Sequence, residues 1–100
     1  MNGRPDEHER MATSVAELDR FPAWTVTRSR GHWITAERVL TLSGQRWVIG
    51  LTPTADGATA LMLWRDDAVV AHRRGAEAAL CRLALGWAAN LLAGRPWDGR

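Results

Sequence analysis

The sequence has no lysine, no tyrosine, one phenylalanine and one cysteine among its 100 residues. A single cysteine excludes an internal disulfide framework, and three histidines at no paired spacing leave no zinc-site pattern. Without lysine, all 13 basic residues are arginine, set against 11 acids. The resulting net charge of +2 is too small for a broad phosphate-binding footprint unless the arginines gather on one face. No apolar run is long enough for a membrane span: the longest, 78–93, is broken by Arg82 and Asn90 and diluted with alanine. The first ten residues lack the apolar centre of a secretory signal, so a cytoplasmic location is the default expectation. There is no phosphate-binding loop, no GxGxxG and no GxSxG turn.

What is present suits one small domain. A hydrophobic fraction of 46% is too high for a disordered chain. Six tryptophans supply large buried area per residue, which a core of this size needs. Residues 1–10 are charged and read as a flexible tail before a single domain over 11–100. Met11-Ala12-Thr13 also offers an alternative translation start. Ser14 and Glu17 match a capping box, with Val15 and Leu18 on one face of a short helix that Pro22 ends.

The stretch 21–40 reads as the organising hairpin. Gly31 suits the left-handed position of a loop over Ser29-Arg30-Gly31, which sets Trp24 beside Ala36, Val26 beside Ile34 and Arg28 opposite His32. One face is then apolar, and the other carries Thr25, Thr27, Trp33 and Thr35. Ser43-Gly44 marks a turn into a third strand, 46–51, whose Trp47, Ile49 and Leu51 alternate and pair with Leu40 and Ala36. Arg38 falls on the core face, a conflict that a bulge or an edge position would relieve. Residues 60–64 read as a fourth strand. Residues 69–72 read as a fifth, against the alternative of an early helix start capped by Asp66.

Residues 76–93 form the clearest helix, with Gly94 and Pro96 as stop signals. It carries two apolar seams. Ala76, Leu80, Leu83, Trp87 and Leu91 make one; Cys81, Leu85, Ala88 and Leu92 make the other. A helix lying on one sheet needs a single seam, so the second predicts a cover: the N-terminal helix, the tail with Trp97, or another molecule.

Chemistry is sparse. Glu7-His8-Glu9 reads as a solvated charge run, Cys81 as a buried thiol, and Asp66-Asp67 as turn residues. No constellation of titratable groups emerges, which points away from an enzyme and calls for no cofactor or metal. Two cationic patches stand out. Arg28, Arg30 and His32 crowd the hairpin tip, with Arg46 on the next strand and Trp33 available to stack a base. Arg73 and Arg74 precede the long helix as candidate anion contacts. A double-stranded-RNA-binding domain would use a basic start to its second helix. Here only Arg73 and Arg74 would serve, and an extra strand intervenes.

Phe21-Pro22-Ala23-Trp24 and Gly31-His32-Trp33 resemble a pattern in small uncharacterised actinobacterial proteins, where a short helix precedes a Phe-Pro-x-Trp strand and a Gly-x-Trp strand. The resemblance covers about a fifth of the chain and implies no activity.

The sequence therefore predicts an α+β fold: an antiparallel meander of four to five strands, a short N-terminal helix, and a long C-terminal helix packed on one face. The expected core contains Trp24, Val26, Ile34, Trp47, Ile49, Leu51, Leu80, Leu83 and Trp87. The expected function is a non-catalytic protein-interaction module. It would dimerise or bind a protein partner through Cys81, Leu85, Ala88 and Leu92, with Trp33 as a further contact. The alternative is nucleic-acid binding through Arg28, Arg30, Trp33 and Arg46.

Overall fold

A computed structural model describes residues 12–100, the side chain of His32 excepted. The expected tail, the alternative start at Met11 and Glu7-His8-Glu9 lie outside the described residues. The chain passes from a 3-10 helix (Ala16–Arg20) through β1 (Thr25–Ser29), a 3-10 turn (Arg30–His32), β2 (Trp33–Leu42), β3 (Gln45–Pro53), β4 (Thr59–Arg65) and β5 (Ala68–Gly75) to α1 (Glu77–Leu92). Among the described residues the strands form one five-stranded sheet, each pairing antiparallel with the next. This is an α+β meander with one long helix. The segment 69–72 is strand, as its adjacent valines suggest.

Turn chemistry explains the meander. Ser43-Gly44 and Asp66-Asp67 occupy two-residue hairpin loops with both residues at positive φ, 51° and 77° in the first, 48° and 71° in the second. Aspartate tolerates this left-handed region because its short side chain bonds locally. Asp66 Oδ1 accepts the Arg46 N–H at 2.9 Å, and the Asp66 N–H donates to the Arg46 carbonyl at 2.8 Å.

The first hairpin differs from the expectation by two positions of register. Val26 pairs with Ala36, Arg28 with Ile34 and Ser29 with Trp33, so the loop is Arg30-Gly31-His32. Gly31 sits at its centre with φ 77° and supplies the left-handed residue. A shift of two leaves every side chain on its expected face. β2 and β3 do pair as read, Leu40 with Trp47 and Ala36 with Leu51, without a bulge. Arg38 is half-buried where β1 has already ended, so β2 is an edge strand there and its long stem can lie along the core.

One face of the sheet is covered. α1 packs across β3, β4 and β5, and the N-terminal 3-10 helix covers β1 and β2. Ile49, Leu51, Leu61 and Leu63 are fully buried between these layers, with Leu18 and Cys81. The short N-terminal helix is of the 3-10 kind. Glu17 draws its start together: the Thr13 hydroxyl and N–H and the Ser14 hydroxyl donate to its carboxylate, and its own N–H donates to Ser14 Oγ. These bonds, Thr13's foremost, lower the Glu17 pKa below its ordinary value.

Two readings of α1 are corrected. Leu83 is not core but 37% exposed. The two seams are one band: Leu80, Cys81, Ala84, Leu85, Trp87, Ala88 and Leu91 are all buried. At 100° per residue they span an arc of about 160°, and Leu83 lies about 120° from its centre. The sheet alone would not fill so wide an arc. Ala12, Val15 and Leu18 join the same buried cluster, and Trp97 packs against it. The Val15 N–H donates to Glu77 Oε2 at 2.8 Å and ties the N-terminal segment to the first turn of α1.

Candidate functional site

Cys81, Leu85 and Ala88, expected on a partner surface, are 0%, 6% and 1% exposed within the chain. Of that seam only Leu92, at the last turn of α1, is open. Burial pushes the Cys81 thiol up to about 11, and the carboxylates of Glu77 and Glu17 push in the same direction. At pH 8 about one molecule in a thousand would carry the thiolate that reacts. Iodoacetamide labelling of Cys81 is therefore expected to be slow in native protein and fast in denaturant, read by mass spectrometry. The native pKa lies above that of an unfolded thiol, so this group costs stability as pH rises above about 8.5. Native labelling as fast as that of a free cysteine would contradict the buried position.

The cationic residues do not gather. Arg28 and Arg30 stand at the hairpin end of the sheet, Arg28 within 3.9 Å of Asp19 in an exposed ion pair that contributes little. Arg46 pairs with Thr41 at the other end of β2, about 27 Å from Trp33 by strand rise. The expected Arg28, Arg30, Trp33 and Arg46 patch is thus split between opposite ends of the sheet. Arg73 and Arg74 lie in β5 rather than at the start of α1, and alternate between faces. Arg73 turns to the helix side, over the rings of Trp87 and Trp97 at 5.9 Å from each. Arg74 turns to the open side and is ion-paired with Asp56.

Trp97 meets Trp87 edge to face, with ring centroids 4.9 Å apart. Asn90 holds this tail: its Nδ2 donates to the Trp97 carbonyl, and its Oδ1 accepts from Arg95. Cation, aromatic pair and tail form a structural cap on α1. Among the described residues, no three His, Cys, Asp or Glu side chains converge as a metal site, and no helix is long and apolar enough to cross a membrane.

The other face of the sheet is where sequence reasoning missed something. No described helix packs on it. A solvated antiparallel face is normally polar. Here the pairing aligns Val39 with Val48, Val48 with Trp64, and Trp64 with Val69, an apolar row across four strands. A register shift between Leu63 and Trp64 inserts Val70, so that Ala71 faces the core while Val69 faces out. Val39 and Val69 are 44% and 56% exposed, whereas Val48 is buried although it lies outside the core cluster. Trp64 lies against β3: a Cβ on Gly50 would come within 2.9 Å of its ring, so glycine permits the contact. Beside it a hollow of about 230 Å³ is lined by Glu37, Arg46, Val48, Trp64 and Asp67. Trp33, 41% exposed, stands on this same face, its indole edge over Gly31. The row was readable only after pairing, because it runs through one residue from each of four strands.

No protein-family model, curated protein or solved structure matches this chain.

Proposed function

We propose that this protein is a small interaction module whose working surface is the open face of the sheet. The observation that carries the reading is the row Val39–Val48–Trp64–Val69 on a face that no described helix covers. Contiguous apolar surface rimmed by charge is the usual mark of a binding site for protein, and Glu37, Arg46, Asp67 and His72 supply the rim. Trp33 extends the surface towards the hairpin. This moves the expected partner surface from the back of α1, where Leu85 and its neighbours are already buried, to the sheet.

The nucleic-acid reading has less support. Arg28 is offset by Asp19, Arg74 by Asp56, and Arg46 stands at the far end of the sheet. The test is recovery of bound protein on tagged chain from the native host. Val39→Glu with Val69→Glu should lose the partner that wild type recovers, while Leu83→Glu on the exposed side of α1 retains it. Identical recovery by all three proteins would overturn the reading.

A further inference from the structure

We propose that the partner is a second copy of this chain, seated on the open face about a twofold axis that runs parallel to the strands between β3 and β4. The inference rests on the reading of that face as the working surface. Its argument is the order of residues along the rows. One row is Val39, Val48, Trp64, Val69; the next is Glu37, Gly50, Met62, His72. Such an axis reverses each row onto itself.

Reversal makes both rows self-complementary. Val39 meets the partner's Val69, and each Trp64 stands over the partner's hollow beside Val48. Glu37 meets the partner's His72, and His72 meets the partner's Glu37. Within one chain these two stand three strand spacings apart, about 14 Å, and cannot pair. An imidazole N–H donates to a carboxylate whether the ring is neutral or protonated. The same operation brings Arg46 towards the turn of the partner that holds its Asp67. A chain with one sign of charge on this face would repel its copy; this one places opposite groups at opposite ends of a row.

The four strands β2 to β5 offer roughly 400–500 Å² on each copy, from strand spacing and rise. The total, near 1,000 Å², is at the lower limit of a specific interface. A micromolar dimer is expected, not an obligate one.

The experiment is sedimentation equilibrium of the full chain from about 1 to 300 µM, the range in which an interface of this size dissociates. Wild type should dimerise. Glu37→Arg and His72→Glu should each weaken the dimer about tenfold or more, and the two together should return it to within about threefold of wild type. Val39→Glu with Val69→Glu should give monomer with unchanged circular dichroism. Monomeric wild type at the highest concentration, a dimer indifferent to Val39→Glu with Val69→Glu, or failure of the paired charge exchange to restore affinity would each overturn the proposal. A monomeric wild type that still loses its host partner on Val39→Glu with Val69→Glu overturns the second copy but leaves the face reading standing. Loss of neither association overturns both.

Discussion

Leu85→Glu is expected to cost about 4 kcal/mol and to bring the urea midpoint far below that of wild type. Leu85 is 6% exposed, at one edge of the buried band of α1. The substitution removes a buried aliphatic side chain, worth about 2–5 kcal/mol, and places a carboxylate at a position with little access to water. Cys81, one turn earlier, already feels the carboxylates of Glu77 and Glu17, so a further anion nearby meets like charge. A domain of this size has only about 5–15 kcal/mol to lose. Leu92→Glu should change stability by less than about 0.5 kcal/mol, since Leu92 is 55% exposed. Urea denaturation followed by circular dichroism separates the two. Equal midpoints for Leu85→Glu and wild type would mean that the back of α1 is surface.

Trp87→Ala should cost about 3–5 kcal/mol, the range for a buried aromatic truncated to alanine. At about 4–8 °C per kcal/mol the midpoint of thermal unfolding falls by roughly 12–40 °C. Trp87 is 3% exposed, meets Trp97 at nearly right angles between the rings, and lies under the Arg73 guanidinium. Its removal opens a cavity and also frees the tail that Asn90 pins. Trp97→Ala, at the half-exposed outer side of the pair, should cost about 1–2 kcal/mol, and Arg73→Ala less than about 1 kcal/mol. Thermal melts of the three variants test the order. A loss for Trp97→Ala as large as that for Trp87→Ala would place the centre of this cluster in the tail instead of the helix.

Much of the fold was legible because its signals are local. Asp66-Asp67 and Ser43-Gly44 announce tight turns, alternation in 46–51 announces a strand with one buried face, and Gly94 announces the end of α1. Even the misjudged hairpin loop left faces intact, since an error of two residues preserves side-chain alternation. Arg38 looked like a conflict because sequence does not say where β1 stops pairing.

The candidate site was much less legible. The apparent second seam of α1 suggested a missing partner, yet the cover is the chain's own N-terminal segment, sixty-two residues away at the Val15–Glu77 bond. The arginines looked clustered because hairpin tip and third strand are close in sequence. An antiparallel meander sends successive turns to opposite ends, and so separates Arg46 from Arg28 and Arg30. Val39, Val48, Trp64 and Val69 are scattered along the chain and share no motif.

The sequence by itself determined the elements, their order and the faces of the hairpin, because turn residues and alternation act between near neighbours. Tertiary structure alone decided which apolar surface is spent inside and which is left open. Burial on α1 depends on what docks from elsewhere in the chain, and the open row exists only once four strands stand in register.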